Sequence, residues 1–243
     1  MGEMGIFDQM TPVNKRKLIS RISIFVIYSV LGIINVNWIT ELANIRFGPI
    51  RLYHLIWFGV AGFFAFNLFY KPSKKISSGR QYAKFYEPNP RCDPEQLNRE
   101  IKKSNSRALK AAALVLSING GFIVSYFLFD LHVFWVYFLA LLYIVLDAVF
   151  ITLWCPFRNW IMKNKCCNTC RIHNWGFWMA AFPLLAVPSF WTYSIVVLGF
   201  LILIKWEVYL RKFPERFYAL SNSNLECKNC THASGFYKEL KKA

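Results

Sequence analysis

The chain has 243 residues, of which 56% are hydrophobic, 18% aromatic and only 17% charged, and its formal charge is +16. So small a charged share argues against a water-soluble domain, and the apolar residues gather in runs near the ~20 that a bilayer-spanning helix needs. The positive charge by itself would suit a nucleic-acid partner, but its placement along the chain argues against one.

Residues 1–21 read as a basic cytoplasmic segment. Lys15, Arg16 and Lys17 precede an apolar run at 22–39, as in a secretory signal. No small-x-small cleavage site follows, since Thr40-Glu41-Leu42-Ala43 does not fit, so the run is expected to stay as an anchor. A second run at 52–70 completes a first transmembrane hairpin over 22–70. Residues 71–108 form a basic cytoplasmic loop and juxtamembrane helix. The loop is rich in Lys, Ser and Pro and is expected to lie against anionic lipid headgroups, at ~1 kcal/mol per basic residue near the surface.

Asp93-Pro94-Glu95-Gln96 is a helix start, with Asp as N-cap, Pro in the first turn and Gln three residues after the cap to close a capping box. No breaker follows before Asn119-Gly120-Gly121, so the helix is predicted to run unbroken from the loop into the third span, 109–129. Phe129-Asp130-Leu131-His132 is a tight turn into the fourth span, 133–154, and the two make a second hairpin over 109–154. A Cys-rich cytoplasmic loop occupies 155–174.

The last apolar run, 175–208, is 34 residues long. As one helix it would reach about 51 Å, well beyond a hydrocarbon core of ~30 Å. Pro183 and Pro188 supply the break, giving a short span at 175–187 and a full one at 189–208. Residues 209–243 form a cytoplasmic tail. The expected fold class is therefore an all-α integral membrane protein, a six-span helical bundle whose fifth and sixth spans form a short Pro-broken hairpin between Cys-rich cytoplasmic segments.

Six spans place both termini on one side. On that side lie 27 of the 29 Lys and Arg residues, with only Arg46 and Arg51 opposite, and the positive-inside rule makes it the cytoplasm. The tryptophans agree, because Trp38, Trp57, Trp135 and Trp191 fall at outer span ends and Trp154, Trp175, Trp178 and Trp206 at inner ones.

Asp147 is the one carboxylate well inside a predicted span, and an ionisable group there is a functional candidate by default. Asn119, at similar depth on the neighbouring span, and Tyr143 are expected polar partners. Lys205, near the inner end of the last span, is a further partner or a snorkelling side chain beside Trp206.

Four of the seven cysteines lie between Cys155 and Cys170, and a second CxxC, Cys227-Lys228-Asn229-Cys230, lies near the C-terminus. Two CxxC knuckles joined by an even number of crossings meet on one face. Cytoplasmic thiols are kept reduced, so Cys167, Cys170, Cys227 and Cys230 are predicted to hold one metal ion, with Cys166, His173 and His232 as additional ligands. Zinc is favoured, and an iron–sulfur cluster is the alternative. Lys163, Lys165, Arg171 and Lys228 would steady the anionic site, and Cys155 at the membrane boundary is a candidate for palmitoylation.

No Walker loop, HExxH, GxSxG or dinucleotide fingerprint occurs, and no catalytic residue is named. The leading expectation is a multi-pass membrane protein with both termini cytoplasmic and a zinc-bound scaffold or binding role, whose partners are the bilayer and its anionic headgroups. The alternatives are a membrane oxidoreductase using a cluster or dithiol, and a small transporter with Asp147 as coupling group, working as a homo-oligomer because six spans enclose little space.

Overall fold

The computed structural model of the chain describes residues 12–69, 86–164 and 169–226. Helix α1, Pro12–Ile34, is followed by α2, Val36–Ala43. Asn35 separates the two, its side-chain oxygen accepting the N–H of Asn37, so the first apolar run is divided rather than continuous to residue 39. A two-stranded hairpin pairs β1, Arg46–Phe47, with β2, Ile50–Arg51. Its turn passes through Gly48 at φ +65°, a left-handed conformation that favours glycine.

The chain continues into α3, Leu52–Phe69, then α4, Pro94–Leu128, and α5, Phe134–Thr152. Helix α4 is continuous over 35 residues, as its sequence predicts. Asp93 is its N-cap, with Oδ1 accepting the Glu95 N–H at 2.9 Å, and Pro94 fills the first turn, where an N–H has no partner to lose. At the other end Asp130 turns the chain with φ +46°, and His132 Nδ1 accepts the Phe134 N–H to start α5.

After a π-helical turn at Phe157–Met162 come a 3-10 turn at His173–Trp175, helix α6, Gly176–Ala181, and a second 3-10 stretch at Phe182–Ala186. Helix α7, Phe190–Lys212, begins at Ser189, whose hydroxyl accepts the Trp191 N–H. Among the described residues α1, α3, α4, α5 and α7 are the helices long and apolar enough to cross a membrane. The predicted span at 175–187 is not one of them. It is part of an irregular helical arm over 173–186, about 25 Å long at ~1.5 and ~2.0 Å per residue. Pro183 sits at the second position of the 3-10 stretch, where the ring is tolerated and the α-helical ladder has already ended.

Side-chain pairings fix the helix directions. Arg21, Phe25 and Tyr28 meet Asp147, Phe138 and Phe134 in turn, so α1 and α5 are antiparallel. Asn119 meets Tyr143 and Arg107 meets Met162, so α4 runs antiparallel to α5. Trp57 meets Ser194 and Lys205 meets Asn67, so α3 and α7 are parallel. The arm is antiparallel to α7, since Trp175 bonds Glu207, Ala181 faces Gly199, and Val187 accepts from Thr192. Two ends result: an aromatic end with Tyr53, His54, Trp57 and Trp191 in edge contact, and a basic end where α3, α5 and α7 finish.

Large apolar side chains occur inside the bundle, as at Phe64, Phe134, Ile202 and Trp206, and also over its outer surface. Ala108, Ala111, Asn119, Ala148, Thr152, Ala181 and Thr192 are buried, whereas Ile27, Ile33, Phe58, Phe63, Val124 and Phe127 stand exposed. Small and hydrogen-bonded side chains between helices, with large apolar ones outside, suit a lipid solvent that competes poorly for polar contacts and well for apolar ones. At the basic end the segment after α7 folds back on the entry to α4, where Pro88 bridges Asn222 and Ser223 N–H donates to the Glu87 carbonyl.

Candidate functional site

The polar groups inside the bundle gather towards the basic end of α5. Asp147 Oδ2 accepts from Arg21 Nη1 at 2.8 Å, and the same nitrogen donates to the Ile144 carbonyl at 3.0 Å. Arg21, and neither Asn119 nor Lys205, is thus the hydrogen-bonding partner that the structure gives Asp147. Asn119 is fully buried and donates to Tyr143 Oη at 3.0 Å and to the Val115 carbonyl at 2.8 Å. Lys205 donates instead to the carbonyls of Asn67 and Leu68, satisfying the last turn of α3, with Trp206 beside it.

Beside this network lies a cavity of about 70 Å³ between the end of α5, the π-helical turn and the start of the arm. Its polar lining is Tyr143, Asp147, Cys155, Arg158, Cys170 and His173, set among Leu146, Phe150, Ile172 and Met179. Gly176 opens the wall towards α5, because a Cβ there would come within 2.9 Å of Asp147 Oδ1. Cys155 is buried, and its sulfur accepts the Arg158 N–H at 3.3 Å. It faces the cavity, which removes the geometric basis for palmitoylation at that thiol. Burial pushes the His173 imidazole below its ordinary value, and the Asp147 carboxylate opposes that shift.

Arg171 follows Cys170 directly and is nearly enclosed. Its guanidinium forks onto both carboxylate oxygens of Glu207 on α7, and its Nε donates to Asn105 on α4 at 3.1 Å. Trp175 Nε1 adds a third donor to Glu207 at 3.0 Å. Arg171 is therefore engaged with two helices, in contrast to the expected role of steadying a thiolate site. Nothing local in the sequence around Arg171 or Glu207 announces the pair.

Of the predicted metal ligands, Cys170 and His173 line the cavity, whereas Cys166, Cys167, Cys227, Cys230 and His232 lie outside the described residues. Among the described residues no three His, Cys, Asp or Glu side chains gather as a metal ion would require. The chain entering the second knuckle does return to this end. Glu226 accepts from Asn89, and Tyr218 lies beside Ser104 on α4, within electrostatic reach of Arg171 and Glu207. No family model, curated protein or solved structure matches the chain.

Proposed function

We propose that the chain crosses the membrane six times with both termini cytoplasmic, and that Cys167, Cys170, Cys227 and Cys230 bind one zinc ion that ties its cytoplasmic ends together, making it a scaffold or binding protein at that face. The parallel packing of α3 and α7 carries the topology. Between two parallel helices the chain must reverse an even number of times, and α4 and α5 account for only part of that path. The arm beside α7 supplies the remaining return, although it is too irregular to count as a long apolar helix. The charge asymmetry then makes the basic end cytoplasmic. Reporter fusions at Arg46 and Asp130 should read as external, and those at Arg91 and Lys163 as internal; an internal signal at Asp130 would overturn the topology.

Support for the metal site comes from Arg171 and Tyr218, which bring Cys170 and the chain leading to Cys227 against the same stretch of α4. Zinc is favoured over an iron–sulfur cluster because no flavin or haem motif offers an electron path. Metal analysis of the purified protein with an absorbance spectrum tests this: stoichiometric zinc in a colourless sample, lost in Cys170→Ser, supports it. A brown sample indicates the oxidoreductase, and no metal in the wild type rejects both.

One observation favours the transporter reading, namely the cavity that reaches Asp147. Asp147 is held by Arg21, so coupling would require the pair to open. Ligand-dependent stabilisation that vanishes in Asp147→Asn would establish this reading in place of the scaffold.

A further inference from the structure

The segment between α1 and α3, residues 35–51, begins and ends at the limit of the hydrocarbon core. The apolar stretch of α1, Asn14–Ile34, has 21 residues and is about 31 Å long, and α3, with 18 residues, about 27 Å, so each is used up in crossing a core of ~30 Å. At Asn35 the backbone is extended, and α2 starts on a cap of its own rather than prolonging α1.

Both halves of this segment are two-sided. On α2 the exposed Trp38 and Leu42 stand four residues apart on one stripe, and the exposed Asn37 and Glu41 form the adjoining stripe. In the hairpin Phe47 pairs with Ile50 and Arg46 with Arg51, and alternation along each strand puts the exposed apolar pair on one face and the arginines on the other. Arg51 Nη1 donates at 2.9 Å to the side chain of Asn44, one turn past Glu41, which joins the cationic face of the hairpin to the polar stripe of α2.

We propose that α2 and the hairpin lie in the plane of the membrane at the aromatic end, with Trp38, Leu42, Phe47 and Ile50 sunk into the headgroup–acyl boundary and Arg46 and Arg51 level with the lipid phosphates. The partner is the phospholipid surface itself. Burial in that boundary takes the large apolar side chains out of water and leaves Asn37, Glu41 and Asn44 in it, as an interfacial helix requires. Arginine suits phosphate in both charge and fork geometry. The element then fixes the depth of α1 and α3, to which it is joined at its two ends. It rests on the crossing of α1 and α3, and takes from the proposed topology only which leaflet this is, the non-cytoplasmic one; it is independent of the metal site.

The test introduces single cysteines into the full chain, held one copy per phospholipid nanodisc and labelled with a charged maleimide, the rate at each position being read by peptide mapping. Leu42→Cys and Phe47→Cys should label about tenfold more slowly than Glu41→Cys, because an apolar setting disfavours the thiolate that reacts, and the difference should vanish in denaturant. All three side chains are exposed, so the exchanges leave the packing intact. Equal rates at the three positions in nanodiscs would put the face in water and overturn the proposal. Slow labelling that appears only when two copies share a disc would overturn it too, by assigning the face to a second copy. An internal reporter signal at Arg46 with Leu42→Cys still protected would reject the topology while supporting the surface placement, now on the cytoplasmic leaflet.

Discussion

Gly32 on α1 sits against the ring of Phe134 on α5, so closely that a Cβ on Gly32 would lie 2.0 Å from the ring edge. The same ring stacks on Tyr28 at 5.1 Å, and the Tyr28 hydroxyl donates to the Phe134 carbonyl at 3.0 Å. Gly32→Ala should therefore push α1 off α5 and lower stability by about 1–3 kcal/mol, the usual cost of overpacking. Adding Phe134→Ala should recover part of the loss, because the methyl group then has room. Thermal unfolding in detergent of the two single variants and the double variant checks this, and strict additivity would contradict the contact.

Arg171 and Glu207 should behave as an enclosed ion pair, with side chains only 7% and 22% exposed. Removing one partner leaves the other charge uncompensated, so Arg171→Ala or Glu207→Ala is expected to cost about 3–5 kcal/mol. Arg171→Lys should restore little, since an ammonium cannot reproduce the fork to Glu207 together with the bond to Asn105. Full expression and an unchanged melting temperature in Arg171→Ala would show the fork to be unimportant.

The pair between Arg21 and Asp147 is a milder case, each side chain being about one-third exposed to the surroundings. Asp147→Leu and Arg21→Met should each destabilise the bundle. Their double variant should lose much less than the sum, with a coupling of about 0.5–3 kcal/mol in a double-mutant cycle. Unchanged folding in Asp147→Leu would remove its structural role.

His173 adds a pH dependence. Its folded-state value lies below the ordinary 6.5 because burial disfavours the imidazolium, with Asp147 opposing. As pH falls the unfolded chain takes up the proton first, so its contribution to stability is complete above about 6.5 and declines as pH drops from there towards the folded value. His173→Asn should flatten this part of a melting-temperature profile below about pH 6.5. A wild-type profile that stays flat as pH falls from about 6.5 would contradict the assignment.

Local signals in the sequence announced local structure well. Asp93 with Pro94 marks the start of α4, and Ser189 after Pro188 marks the start of α7, because a cap is decided by residues two positions apart. The pairs that shape the site were not legible, since Arg21 and Asp147 are 126 residues apart and Arg171 and Glu207 are 36 apart. In the sequence Arg21 simply ends the basic segment 1–21, with nothing to single it out over Asn119, Tyr143 or Lys205 as the partner of Asp147. Composition could not distinguish the arm at 173–186 from a regular span either. Its departure from α-helical geometry falls at Phe182–Ala186, around Pro183, which lacks a backbone donor.

The unbroken α4 has a mechanical consequence. Its 35 residues give a rod of about 52 Å, of which a ~30 Å hydrocarbon core can enclose little more than half. Bilayer thickness sets helix tilt, and a change of about 10° about the membrane midplane would swing the Pro94 tip sideways by about 6 Å. Asn105 and Arg107 lie along that projecting lever and hold Arg171 and the Met162 carbonyl. The turns bearing Cys155 and Cys170 are thus tied to the part of α4 that projects beyond a hydrocarbon core of that thickness.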